Sequence, residues 1–367
     1  MQFIDLKAQY SLIEQEVLAG IKKVLDHGQY IMGPEINRLE QQLAEFVGVK
    51  HAIVNASGTD ALLMALLALD IKPGDEVITT PFSFFATAEV ILLCNATPVF
   101  VDIDPDTYNI DAKKLEAAIT PKTKAIMPVS LYGQCPDFNE INAIAAKHKI
   151  PVIEDAAQSF GATYKDKKSC ALSEIACTSF FPSKPLGGYG DSGACFTNDD
   201  DLALKLSQIR LHGQDARYSH SRVGINGRMD TIQAAILLEK MKLFPEEITL
   251  RQKIAKRYDQ LLSDSVTVPK VMEYNTSVYA QYTIEVPNRA QFQEQMQNLG
   301  IPTAVHYPIA MHLQKALSHL NYKLGDFPNS EKASQRVISL PMHPYLQEAQ
   351  QLQVVLAVKQ ALAVELA

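Results

Sequence analysis

The sequence has no long apolar run, no basic block and no paired-cysteine pattern, and each absence removes a class of protein. Its longest apolar stretch, Ala61 to Leu69, is far too short for a membrane-spanning helix. Lys and Arg number 34 against 41 Asp and Glu, a net charge of −7 with no basic cluster, so nothing is in place to neutralise a nucleic-acid backbone. Five cysteines, at positions 94, 135, 170, 177 and 195, include no C-x-x-C pair and are odd in number. They read as free thiols in a reducing compartment rather than as disulfides or a zinc site, and no metal is expected. The first ten residues lack a basic segment followed by an apolar one, so no secretory signal is read there and a cytoplasmic location is expected. There is no internal repeat, low-complexity tract or charge run.

What is present fits a folded soluble chain: 47% of residues are apolar and 20% charged, and 367 residues are long for a single core. Between about residues 50 and 200, short β-rich runs alternate with helical ones. Strands are expected at 51–55, 76–80, 98–102, 125–130, 152–155, 175–181 and 194–197, with helices at 59–69, 87–93, 112–119 and 138–148. That alternation predicts βα units around a mostly parallel sheet, an α/β fold. The segment 59–69 is apolar on nearly every face and should be buried. Helices follow at 199–211 and 228–241, then, after an interruption at Pro245, at 246–262. The stretch 263–277 reads as a domain junction, leading to a strand at 281–286, a helix at 290–299 and a last helix from about 347. The division expected is a large domain over 1–250 and a smaller α+β domain over 251–367.

Three segments carry candidate chemistry. Asn55-Ala-Ser-Gly-Thr-Asp60 joins a strand to a helix, so the N–H groups of Ser57 to Thr59 point out of a helix terminus where a phosphate fits; a plain N-cap is the alternative. Pro151-Val-Ile-Glu-Asp155 ends a strand in acid, where ligands of α/β sheets bind. Asp155 there could keep a pyridine nitrogen protonated, with Gln158 ordering the ring's other side, or could simply cap the next turn. Ser179-Phe-Phe-Pro-Ser-Lys184 puts a lysine just past a strand, in a turn closed by Gly187, Gly188 and Gly190. Burial there would lower its pKa and make it a nucleophile able to form a Schiff base, although a solvated surface lysine is the commoner case.

Gly188-Tyr-Gly-Asp-Ser-Gly193 matches G-x-G-x-x-G in form but opens a strand, not a helix, so dinucleotide binding is rejected. Phe84 is a candidate to stack on a ring or a core phenylalanine. His212, Asn226 and Arg228 lie in loops at element ends, and His306-Tyr307 places two hydrogen-bonding aromatics together.

Taken together, Ser57-Gly58-Thr59, Glu154-Asp155-Ala-Ala-Gln158, Ser179-Phe-Phe-Pro-Ser-Lys184, Asn226-Gly-Arg228-Met-Asp230 and His306-Tyr307-Pro308 resemble the DegT/DnrJ/StrS family of nucleotide-sugar aminotransferases dependent on pyridoxal 5′-phosphate (PLP). The resemblance covers essentially the whole chain, from Phe3-Ile-Asp-Leu6 and Gly28-Gln-Tyr30 to Ser339-Leu-Pro-Met-His343. It implies the aspartate aminotransferase fold of type I and a homodimer with shared active sites. Lys184 would be the Schiff-base lysine, Asp155 the partner of the pyridine nitrogen and Gln158 a contact on the cofactor's hydroxyl side. Gly58, Thr59 and Ser179 would hold the phosphate, Phe84 would stack on the ring, and Asn226 would reach the cofactor phosphate of the opposite subunit. Arg228, His306, Tyr307, His312 and Gln314, with Tyr30 and His212, would belong to the sugar-nucleotide side.

Some relatives carry histidine in place of the lysine and are dehydratases; Lys184 favours amino transfer. Pro128-Val-Ser-Leu-Tyr-Gly-Gln-Cys135 and Val278-Tyr-Ala-Gln-Tyr-Thr283 resemble the branch that aminates UDP-2-acetamido-2-deoxy-3-oxo-D-glucuronate for bacterial surface polysaccharide such as O-antigen. L-glutamate is the donor that the resemblance implies. Ser192 departs from the glycine usual in relatives. The alternatives are amination of another 3- or 4-keto nucleotide sugar, a PLP-dependent sugar dehydratase, or a non-catalytic regulatory member.

Overall fold

The βα alternation read from the sequence builds a twisted sheet, seen here in a computed structural model whose described residues are 1–365. Strands β1 (His51–Asn55), β2 (Glu76–Thr79), β3 (Thr97–Phe100), β4 (Thr123–Ile126) and β5 (Ile153–Asp155) alternate with helices. β3, β2 and β4 lie side by side and parallel. Parallel bridges Ile126–Val152 and Val129–Asp155 join β4 to β5. The strand Ile175–Ser179 continues parallel to β5, and beyond it lie Gly193–Thr197 and then β1. Gly193–Thr197 alone runs against its neighbours. The chain returns to it from Ser179 through the thirteen-residue glycine-containing loop 180–192, which carries Lys184 and has no helix to make a parallel crossover.

Two helices precede the sheet, and the sequence reading did not place them: α1 (Leu6–His27) and α2 (Pro34–Val47). α2 starts with proline at its first position and buries Ile36, Leu39, Leu43 and Val47, one helical stripe. α1 is capped by Asp5 and buries Ile13, Val17 and Val24 against the long helix Thr231–Leu262, but exposes Leu12, Leu18 and Leu25, which blurs its stripe. α3 (Gly58–Ala68) packs between the sheet strands and the helices α4 (Ala86–Leu93) and Asp200–Ile209, the burial that its all-round apolar composition predicts.

Pro245 does not interrupt the helix, which runs unbroken from Thr231 to Leu262. An interior proline costs about 3 kcal/mol. Burial of Phe244 and Tyr258, each contributing about 1.5–3 kcal/mol, offsets that cost.

A separate apolar core gathers Tyr258, Leu262, Tyr282, Ile284, Phe292, Met296, Ile338, Leu340, Val354 and Val358. It is built from the antiparallel strands Tyr282–Glu285 and Val337–Leu340 under helices Arg289–Asn298 and Glu348–Glu365. The chain's first residues reach this core, where the Met342 N–H donates to the Phe3 carbonyl. Among the described residues no helix is long and apolar enough to cross a membrane.

Candidate active site

A cleft of about 490 Å³ opens at the carboxyl ends of the parallel strands, lined by the start of α3, the end of β5, the turn bearing Lys184, and His306 and Tyr307 from the second core's side. Its floor at one end is the α3 terminus. Ser57 adopts an extended backbone and its hydroxyl accepts the Asp60 N–H at 3.0 Å, which caps the helix. The N–H groups of Gly58 and Thr59, in the first turn, have no intrahelical partner and face out of the terminus, where the helix dipole favours an anion.

Gly58 sits against Ser179: a Cβ added there would lie 2.6 Å from the Ser179 Cβ. Gly193 is required similarly, because a Cβ on it would stand 2.6 Å from the Ser57 carbonyl. Of the glycines of the rejected dinucleotide match, Gly193 therefore serves close packing beneath the helix terminus, while Gly188 and Gly190 pack against the Gln233 side chain. Gly58→Val is expected to push α3 away from Ser179 and cut affinity for a phosphorylated cofactor by roughly tenfold or more, with a stability loss of about 1–3 kcal/mol. Fluorescence titration of the cofactor-free protein checks the first and thermal denaturation the second.

Asp155 lies at the other end of the cleft. The Thr87 hydroxyl donates to its Oδ2 at 2.8 Å and the Ala157 N–H to its Oδ1 at 3.2 Å. Burial pushes the carboxyl up, while these donors and the nearby Lys184 act in the opposite sense. A protonated ring nitrogen alongside would add to that second group. Glu154 points to the opposite face of the strand. It is buried there and accepts from Ser130 Oγ (2.7 Å), Ser169 Oγ (2.7 Å) and the Cys170 N–H (2.8 Å), so this acid of the pair is a structural one.

Lys184 follows a turn closed by its own N–H on the Phe181 carbonyl at 2.8 Å and by the Gly188 N–H on Phe180 at 2.7 Å. Burial pushes its amine down, and attraction to Asp155 raises it in part. Gln158 spans the cleft wall: its Oε1 accepts the Tyr132 N–H at 2.8 Å and its Nε2 donates to the Tyr307 hydroxyl at 2.9 Å. With its oxygen thus occupied as acceptor, Tyr307 has its own proton free to donate. Phe84 is exposed at the mouth, its ring 6.3 Å from that of Tyr307.

The structure thus brings Gly58, Thr59, Phe84, Asp155, Gln158, Ser179, Lys184, His306 and Tyr307 to one cleft. Others lie elsewhere. Tyr30, His212, Asn226 and Arg228 fall along one surface region outside it, linked by the bridges Ile31–Asp230 and Leu211–Asn226. His312 is buried, with Nε2 3.0 Å from Glu331 and its ring against Phe327, so it does not open on the cleft. Gln314 is half-buried between two short 3₁₀ turns. The sequence reading missed Thr87, which orients Asp155, and Tyr132, Ser183, Asp191 and Gln281. Thr87 looks like any residue of an apolar helix, and only its place opposite a strand end reveals it.

A lysine made more nucleophilic by burial, facing a buried carboxylate, marks the class of enzymes that hold a carbonyl compound covalently. Comparison with known proteins narrows that class. The profile of the DegT/DnrJ/EryC1/StrS aminotransferase family matches residues 11–359, and the chain belongs to this family. It is 59% identical, over 95% of its length and 97% of the relative's, to the UDP-2-acetamido-2-deoxy-3-oxo-D-glucuronate aminotransferase of Pseudomonas aeruginosa. The crystal structure of a DegT DnrJ EryC1 StrS aminotransferase from Brucella abortus superposes with a TM-score of 0.95 at 46% identity, covering 98% of this chain and 99% of that one. The structure of ntda from Bacillus subtilis with bound cofactor PMP gives 0.93 at 33% identity, covering 99% and 85%.

Proposed function

We propose that the enzyme transfers the amino group of L-glutamate to C3 of a UDP-3-keto sugar, UDP-2-acetamido-2-deoxy-3-oxo-D-glucuronate, using PLP. The observation that carries this reading is the cleft itself: a lysine amine and a buried carboxylate at one end, free helix-terminal N–H groups at the other. That donor set fits a pyridine ring with a carbonyl and a phosphate. Bound there, the cofactor supplies an electron sink that stabilises negative charge on the carbon losing a proton.

The chain's residues do the rest. Gly58, Thr59 and Ser179 would hold the phosphate, Asp155 would face the ring nitrogen, and Phe84 would cover the ring at the mouth. Lys184 would hold the cofactor's carbonyl carbon, and its amine is placed to take the proton from the donor's Cα and to deliver one to sugar C3. Tyr307, its oxygen fixed by Gln158, would offer a proton towards the cofactor's hydroxyl side.

The cleft is poor in cations. Apart from Lys184 its one basic lining residue is His306, whose pKa burial and the Lys184 charge push down to about 4, so it is neutral. A uronate carboxylate needs a partner, and Arg228 is suited to it: half-buried, with its Nε lacking a hydrogen bond, on the surface that also carries Asn226 and Tyr30. This favours a homodimer in which each subunit completes the other's site, with Asn226 on the partner's cofactor phosphate and Arg228 on the partner's sugar. We take residues 1–250 as the cofactor-holding domain and 251–367 as the smaller one, joined through Thr231–Leu262; residues 366–367 lie outside the described part. The diamino uronate product would serve surface polysaccharide assembly from the cytoplasm.

The test is a panel of UDP-3-keto sugars with and without the carboxyl, supplied with glutamate and analysed by mass spectrometry. Amination of the uronate is expected; turnover confined to neutral sugars would overturn the substrate. Arg228→Leu should lower kcat/KM for the uronate about a hundredfold and leave a neutral 3-keto sugar within a fewfold.

A further inference from the structure

Asp155 does not meet Thr87 alone. The Thr87 oxygen that lies 2.8 Å from Asp155 Oδ2 also lies 3.1 Å from the hydroxyl oxygen of Ser83, four residues back along the chain. All three side chains are buried, and Ser83 and Asp155 both line the cleft. Ser83 lies just ahead of α4 and Thr87 is that helix's second residue, its N–H donating to the Phe84 carbonyl at 3.2 Å. One helix start therefore carries the aromatic at the cleft mouth and both hydroxyls behind it.

When Asp155 is ionised, the protons of this chain have one arrangement. A carboxylate only accepts and a threonine hydroxyl has a single proton, so Thr87 gives that proton to Oδ2. Ser83 then gives its own to Thr87. A hydroxyl whose oxygen is itself accepting is polarised and donates more strongly, so Ser83 reinforces the Thr87 bond without touching the carboxylate. With the Ala157 N–H on Oδ1, each carboxylate oxygen has one fixed donor and acceptor capacity left for a ligand.

These donors bear on where a shared proton rests. A ring nitrogen and a buried carboxylate compete for one proton, and burial favours the neutral pair with the proton on oxygen. Each donor to the carboxylate lowers that oxygen's proton affinity and moves the balance back towards nitrogen. The other ionisable groups around Asp155 are Lys184 and Tyr307 at the cleft, Glu154 beside it on β5 and Cys177 opposite on the next strand. Lys184 is the one cation among them, and its charge is not permanent, because the same amine must bind and release a carbonyl. The hydroxyl chain is always there.

We propose that Ser83 and Thr87 are positioning residues whose hydroxyls, donating in series to Asp155, keep the shared proton on the cofactor's ring nitrogen rather than on the carboxylate. This role rests on PLP occupying the cleft as proposed above and holds for any sugar.

The experiment is nitrogen-15 NMR on holoenzyme carrying PLP labelled at the ring nitrogen, whose shift separates the protonated ring from the bare one. The native protein should show a protonated nitrogen at neutral pH. Thr87→Val removes a hydrogen bond to a charged group, which should move the proton about ten- to a hundredfold towards oxygen and the signal towards the bare form. Ser83→Ala leaves the Thr87 bond but not its support, and a displacement of about two- to threefold in the same direction is expected. Thr87→Ser keeps the hydroxyl and should keep the native signal. Lys184 is intact in every variant, so the cofactor stays attached, and equal melting temperatures for the Val and Ser proteins exclude a folding effect. With the 3-keto uronate, Thr87→Val should lower kcat about tenfold with KM within about threefold, since the electron sink weakens while the sugar contacts remain. A bare ring nitrogen in the native protein, or a Thr87→Val signal like the native one, overturns the role of Thr87; a Ser83→Ala signal identical to the native one overturns that of Ser83. The nitrogen signal is read without any sugar, so failure of every UDP-keto sugar to react would count against the proposed substrate alone.

Discussion

Lys184→Ala is expected to lose the covalently attached cofactor and at least roughly 10,000-fold in turnover, because two separate functions depend on the same amine. The first is attachment. Burial pushes the Lys184 pKa down, so more of it is neutral at a given pH than for a free lysine, and only the neutral form attacks a carbonyl. Asp155 moderates this by favouring the charged form, which keeps the group able to hold a proton between steps. The second function is proton transfer at the reacting carbon. Absorbance in the visible range and intact mass after borohydride reduction report the first, and steady-state turnover the second. Lys184→Arg separates charge from nucleophilicity: the cation remains, the attack does not, and activity should be as low as in the alanine protein. A small primary amine added to Lys184→Ala should restore part of the proton transfer. Full activity in either variant would rule out the assignment.

Much of the site was readable in the sequence because its parts sit at element ends, and element ends carry local signals. Ser57-Gly58-Thr59 marks a strand-to-helix junction whether or not a phosphate binds there, and Pro151–Asp155 shows a strand ending in acid. The register of Glu154 and Asp155 follows from strand alternation, but which of the two faces the cleft depends on Ser130 and Ser169, residues that meet Glu154 only in the folded chain. Thr87 and Tyr132 were invisible for the same reason: each acts on a residue far along the chain, Asp155 and His306 respectively. The helices were missed or cut where tertiary packing overrides local pattern. α1 exposes four leucines, three of them directly beside its buried residues, and the helix through Pro245 is held by Phe244 and Tyr258 against a local break. His312 shows the converse limit, since a histidine beside a site motif can be buried on a glutamate instead.

Mixing two damaged subunits should restore activity that neither has alone. Lys184→Ala removes the nucleophile from its own cleft, whereas Arg228→Leu, if Arg228 serves the neighbouring subunit, damages the partner's cleft. In a mixed dimer one cleft then receives both defects. The other receives Lys184 from the Arg228→Leu chain and Arg228 from the Lys184→Ala chain, and is intact. Random pairing makes half the dimers mixed, each with one sound site, so about a quarter of wild-type activity on the uronate is expected from co-expressed, separately tagged subunits. Were Arg228 to act in its own cleft, neither site of the mixed dimer would be whole, and the mixture could not exceed the Arg228→Leu protein by itself. The geometry favours the shared arrangement: Tyr30 and Asn226 are exposed, Arg228 is half-buried with its Nε unpaired, and the chain's own cleft offers a carboxylate no permanent cation besides Lys184. Tandem purification of the mixed species turns the same outcome into a sharper number, since every dimer then has one working site and activity should rise to about half that of wild type.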